Sequence, residues 1–116
     1  MLGWIGRLLR PPPAAQPAWI DSAALRERMA RGKGPTIVDV RGPDEFTGPL
    51  GHIDGALNIP LADLPAQIAE LGRARTSIVL VCLTDKRSSQ AAAALAAAGI
   101  ADVAVLRGGM RAWRGA

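Results

Sequence analysis

Short apolar runs alternating with helix-patterned segments predict an α/β domain: a mostly parallel sheet with helices on both faces. Three observations carry this prediction. Ser77-Ile78-Val79-Leu80-Val81 is a continuous apolar run, the mark of a central strand covered on both sides. Thr36 to Val40 and Val103 to Leu106 are further apolar runs bounded by glycine or proline. Segments with helical spacing separate them, so successive strands need crossover connections.

Taken in order, Pro11, Pro12 and Pro13 followed by Ala14–Pro17 form a stiff spacer, and the folded domain spans 18–116. Asp21 or Ser22 caps a helix with Leu25 and Met29 on its inner face, ending by Gly32. Thr36–Val40 is a buried strand between Gly34-Pro35 and Gly42-Pro43. Ala56–Ile59 is a short strand ahead of Pro60. Asp63 caps a second helix with Leu64, Ile68 and Leu71 on one face, Pro65 in its first turn and Gly72 as its stop. After the central strand, a polar loop leads to an alanine-rich helix from about Ser88 to Ala98, closed by Gly99. Val103–Leu106 is the last strand, and Gly108-Gly109 turns the chain into a short helix containing Trp113.

A length of 116 residues suits one domain, and 49% hydrophobic residues are enough for a core. With three Trp, one Phe and no Tyr, that core is built from Ala, Val, Ile and Leu. The net charge of +4, from 12 Arg and 2 Lys against 7 Asp and 3 Glu, suits anionic ligands or a solvated surface. No like-charge run or aromatic-basic interleaving points to nucleic acid. A single cysteine forms no internal disulfide, and a reducing cytoplasmic setting is expected. Residues 1–17 read as a separate apolar and basic segment plus spacer. The stretch 1–10 is shorter than the ~20 apolar residues needed to span a bilayer. A loosely docked terminus is preferred there over an amphipathic membrane tether.

Ligands of open parallel sheets bind outside the carboxyl ends of the strands, where Cys82 stands. From it runs Leu83-Thr84-Asp85-Lys86-Arg87-Ser88, and a helix opens at the end. Such a turn aims backbone N–H groups and a helix dipole at the sulfur, and both favour an anion there. Lys86 and Arg87 add positive charge and leave the loop at net +1. Cys82 is thus the expected nucleophile, at the mouth of an anion-binding loop formed by Leu83, Thr84, Asp85, Lys86, Arg87 and Ser88. No His, Cys and Asp cluster suggests a metal, and no cofactor is expected.

Four motifs stand in order: Asp39-Val40-Arg41 with Glu45-Phe46, Gly51-His52-Ile53-Asp54-Gly55-Ala56-Leu57-Asn58-Ile59-Pro60, the Cys82 loop, and Leu106-Arg107-Gly108-Gly109-Met110-Arg111-Ala112-Trp113. With these, the chain from Trp19 to Trp113 resembles a single rhodanese (sulfurtransferase) domain. The resemblance implies a rhodanese-like α/β fold with a five-stranded sheet. It implies that Cys82 takes sulfane sulfur from a donor such as thiosulfate or a persulfide, becomes a persulfide, and passes the sulfur to cyanide, a thiol or a protein partner. The expected partners are therefore a small anionic donor and a thiol or protein acceptor.

Many members of that family carry glycine where this chain has Asp85. Aspartate is among the few other residues that visit positive φ, so the loop geometry is expected to survive, while its carboxylate opposes a dianionic donor. Asp39 and Arg41, at the end of the neighbouring strand, are expected to form a supporting ion pair or an anion contact. His52 is expected to pack and bond locally rather than act as a base, and Trp113 to plug the core. Arg107 and Arg111 either line the mouth or are solvated. Two other readings compete. Cysteine phosphatases and arsenate reductases separate Cys and Arg by five residues, whereas the gap here is four, which favours a sulfur atom over a phosphate. A non-catalytic binding module would have no need of the thiol.

Overall fold

The computed structural model describes residues 17–32 and 34–115. The segment 1–16, with its apolar stretch and proline spacer, lies outside the described residues. The elements are β1 (Ala18–Ile20), α1 (Ser22–Ala30), β2 (Thr36–Asp39), α2 (Pro43–Phe46), β3 (Leu57–Asn58), a 3-10 turn (Leu61–Asp63), α3 (Leu64–Ala74), β4 (Ile78–Val81), α4 (Lys86–Ala97), β5 (Val103–Leu106) and α5 (Gly109–Gly115). The five strands form one sheet in the order β1-β5-β4-β2-β3, and every neighbouring pair is parallel.

β4 lies at the centre, and all four of its residues are buried. Its side chains alternate between the two faces of the sheet, as the pleat requires. Ile78 and Leu80 join Val38, Val40, Leu64, Leu71, Ala91, Ala92 and Leu95 in one apolar layer, supplied by α3 and α4. Val79 and Val81 join Leu25, Ile37, Ile53, Leu106, Met110 and Trp113 in the other, supplied by α1 and α5. Alanines on α4 allow its close approach: Ala91 and Ala92 are buried between it and the strands.

Three elements differ from the sequence reading. β1 is an edge strand of three residues, too short to show alternation, and Trp19 in it is 41% exposed. It exists because β5 offers backbone partners, pairing Ile20 with Leu106. Gly72 does not stop α3: it faces Ile100 from within the helix, and the stop is Arg75 in the left-handed conformation (φ 52°). Asp63 makes no side-chain cap to α3, because the 3-10 turn already leads into that helix. Asp21, by contrast, caps α1 as expected, accepting from the Ala24 N–H at 2.8 Å. Among the described residues no helix is long and apolar enough to cross a membrane.

α5 is held chiefly by Trp113, which is 8% exposed in the second layer. The Arg26 guanidinium lies 3.7 Å over its ring and donates to the Trp113 carbonyl at 2.8 Å. Trp113→Ala should therefore destabilise the domain by roughly 3 kcal/mol or more, through lost burial and an unfilled cavity. Urea unfolding would measure it, and a change below about 1 kcal/mol would mean that α5 contributes little to the core.

Candidate active site

The parity of β4 places the cysteine. Cys82 follows Val81 with the alternation of Ile78 and Leu80, so its side chain turns into the layer beneath α4. It is 1% exposed. The thiol is thus the floor of the loop rather than its mouth, which corrects the sequence reading.

α4 also begins two residues earlier than expected, at Lys86. Leu83, Thr84 and Asp85 alone form the loop, while Lys86, Arg87 and Ser88 make up the first helical turn. Ser88 is fully buried, its N–H donates to Cys82 Sγ at 3.4 Å, and its Oγ stands 3.3 Å from the same sulfur. Among the described residues, this is the one backbone N–H bonded to the thiol. Asp85, at the helix N-cap, makes no side-chain cap, and the N–H of the third helical residue, one that it could accept from, is directed at sulfur. Asp85 has φ −149° and ψ 5°, on the negative side, so the expectation of a positive-φ aspartate is wrong. The left-handed residues that shape this site are elsewhere.

They are Gly108 and Gly109, with φ 75° and 55°. Their turn brings α5 against the loop, where the N–H of Met110 donates to the Cys82 carbonyl at 2.8 Å and that of Arg111 to the Leu83 carbonyl at 3.1 Å. A Cβ on Gly109 would overlap the carbonyl oxygens of Thr84 and Cys82. The sequence read these glycines only as a turn; their contact with the loop had no sequence signal.

On the other side stands a buried ion pair. Arg41 Nε donates to Asp39 Oδ1 at 2.9 Å and Nη2 to Oδ2 at 2.7 Å, and both side chains are 1% exposed. The remaining guanidinium bonds go to the carbonyls of Glu45 (3.1 Å) and Gly51 (2.7 Å). Arg41 therefore spends its donors on protein groups and pins the 42–51 connection to the end of β2. Asn58 reinforces it, donating to the carbonyls of Asp39 and Arg41 at 3.1 and 2.9 Å. His52 donates from Nδ1 to the Phe46 carbonyl at 2.8 Å and stacks on the Phe46 ring, a local packing role.

The residue that sequence reasoning left without a role is Glu45. Its carboxylate takes two bonds from Arg87, at 2.7 and 3.0 Å, across 42 positions of sequence. The Arg87 hydrogen bond holds the Glu45 carboxyl below its ordinary value, and the same bond raises Arg87. A carboxyl lowered in this way releases its partner only as pH falls below the ordinary glutamate range of about 4.3, so the pair is intact at neutral pH. Lys86 is exposed and Arg107 stacks over Trp19 at 4.8 Å. Among the described residues no group of three or more His, Cys, Asp or Glu is placed to hold a metal ion.

The Gly109 contact yields a direct test. Gly109→Ala puts a side chain both into left-handed backbone and into two carbonyls, at a combined cost of about 3 kcal/mol. If thermal melting instead shows a loss below about 1 kcal/mol, the close approach of α5 to the loop is not rigid.

A family model for the rhodanese-like domain matches residues 21–116. Thiosulfate sulfurtransferase GlpE of Shewanella oneidensis is 37% identical over 86 residues, covering 74% of this chain and 82% of its own. A probable adenylyltransferase/sulfurtransferase, MoeZ of Mycobacterium tuberculosis, is 39% identical over 102 residues, 86% of this chain. The chain spans only 25% of that relative's length. Among solved structures, the human single-domain sulfurtransferase TSTD1 superposes with a TM-score of 0.69 at 27% identity, covering 83% of this chain and 94% of its own. With the parallel sheet, the loop after its central strand and the Asp39–Arg41 bridge all in place, the chain belongs to the rhodanese-like domain family.

Proposed function

We propose that the chain is a sulfurtransferase that moves sulfane sulfur through a persulfide on Cys82. The observation that carries this reading is the sulfur itself: a lone thiol at the end of the central strand, with the Ser88 N–H and hydroxyl both turned toward it at the first turn of α4. Neutral donors and a helix start stabilise a sulfur anion, which is the form that attacks and the form a persulfide takes. In this reading Leu83, Thr84, Asp85, Lys86, Arg87 and Ser88 surround the reacting end of the donor. Asp39 and Arg41 act from below by holding the 42–51 connection against the loop.

Chemically, the Cys82 thiolate attacks the sulfane sulfur of the donor, a bond to Sγ forms, and the donor leaves with the electron pair. A nucleophilic acceptor, a thiol or cyanide, then takes the sulfur and restores the thiolate. The transferred sulfur keeps its oxidation level, so neither oxidant nor reductant enters. The sulfurtransferase names of the relatives support this class of reaction, and the thiosulfate in the name of GlpE supports a sulfane donor. A reducing cytoplasmic setting suits the mechanism, since Cys82 is a free thiol.

One contact argues against the phosphatase alternative. A tetrahedral oxyanion would need the Arg87 guanidinium, which Glu45 already engages through two bonds.

Intact-mass spectrometry after incubation with a sulfane donor tests the proposal. A gain of about 32 Da that maps to Cys82 and is removed by cyanide or reductant is the expected result. Cys82→Ser should keep the fold by circular dichroism and lose the adduct and turnover entirely. Turnover retained by the serine variant would rule out the Cys82 persulfide.

A further inference from the structure

The same loop carries information about the donor. Three charged residues open α4: Asp85, Lys86 and Arg87. Read along the chain they leave the loop with one net positive charge, enough to welcome an inorganic anion. The structure adds a fourth. Glu45, brought from the 42–51 connection, engages Arg87 with both carboxylate oxygens. Of these four residues two are acids and two are bases, so their charges cancel. Asp85 is half-buried in the loop and its carboxylate is not used in capping the helix, while Lys86 is the exposed member. What faces the sulfur directly is neutral: the N–H and hydroxyl of Ser88.

We infer that this site takes its sulfur from a carbon-bound persulfide, R–S–SH, in preference to the thiosulfate dianion, because Glu45 occupies Arg87 and Asp85 offsets Lys86. The inference rests on the reading of Cys82 as the sulfur carrier and specifies its substrate class.

The charge count of the reaction explains the preference. Thiosulfate brings two negative charges within a few bonds of the attacking thiolate, so three gather at one loop. To gain Arg87 as a counter-ion it must displace Glu45, an intramolecular ligand already in place and present at high effective concentration. A carbon-bound persulfide avoids this. Its reacting end brings one negative charge, or none in the protonated form that a thiolate attacks, and any further charge lies on R beyond the rim. The Cys82 thiolate attacks the outer sulfur, the Sγ–S bond forms, and the S–S bond of the donor breaks. The product is Cys82–S–SH and the leaving group is R–S⁻. When the donor reacts in its protonated form, one negative charge is present throughout the step, and it begins and ends on sulfur. The Ser88 N–H and the start of α4 favour that charge without needing a free arginine.

The experiment compares loading rates of Cys82 by two donors, thiosulfate and mercaptoethanol persulfide generated in situ, read by quenched intact-mass spectrometry. The wild-type chain should load from the persulfide at least about tenfold faster, the size of effect expected from one uncompensated charge at loop distance. Glu45→Gln and Asp85→Asn each remove one negative charge with little change of shape. Each should narrow the persulfide-to-thiosulfate ratio by roughly fivefold, through faster loading from thiosulfate. Raising the ionic strength from about 0.02 to about 0.5 M should narrow the ratio in the wild-type chain, a readout that needs no variant. Thiosulfate loading as fast as the persulfide in the wild-type chain, or a ratio unmoved by both substitutions and by salt, overturns the inference while leaving sulfur transfer standing. Absence of a sulfur adduct from either donor overturns both.

Discussion

The side chains of β4 are buried on both faces of the sheet, and its neighbours β2 and β5 take its backbone groups on both edges. No residue of it can choose its environment: odd and even positions go to opposite layers, and the pattern carries past the last ladder bond. Cys82 inherits it. The thiol is held in the layer beneath α4 by the same alternation that buries Ile78 and Leu80, and this brings it under the first turn of the following helix. The third helical N–H then meets a sulfur atom where it would ordinarily meet a capping side chain. Core packing and chemistry are one arrangement here, because the pleat that fills the core also sets the direction of the nucleophile.

Two supports keep the loop above that sulfur, and they come from opposite sides of it. On one side α5 donates two backbone hydrogen bonds to the carbonyls of Cys82 and Leu83, possible only because Gly109 lacks a side chain. On the other, Arg41 spreads its guanidinium over Asp39, Glu45 and Gly51. A buried pair of this kind adds little net stability, since desolvation of both charges offsets their attraction. Its value is positional. Arg41 bonds the carbonyl of Glu45, and the side chain of Glu45 reaches Arg87, so the ion pair under β2 and the first turn of α4 are joined through one residue.

That junction changes the electrostatics of the site. A rim with one free arginine would favour small inorganic anions, and a rim in which each cation has an acid nearby favours donors whose charge stays outside. The substitution of Asp85 for the family's glycine works in the same direction. Its φ is negative, so glycine's left-handed freedom is not what the position uses, and the aspartate adds a charge of the same sign as Glu45.

Much of this molecule was written locally. Apolar runs, glycine and proline boundaries and the Asp21 cap were enough to specify alternating strands and helices, because each depends on residues within one turn or one strand of another. The four motifs, the family they resemble and the position of Cys82 at the carboxyl end of a central strand were legible for the same reason. The burial of the thiol, the start of α4 at Lys86, the edge strand β1 and the negative φ of Asp85 were not. Nor were the approach of Gly109 to the loop and the hold of Glu45 on Arg87. Several of these are decided by a partner far away in sequence: β5 for β1, α5 for the loop carbonyls, and a carboxylate 42 residues distant for the arginine. A sequence states which charges a loop carries, but only the folded chain determines which of them are already paired.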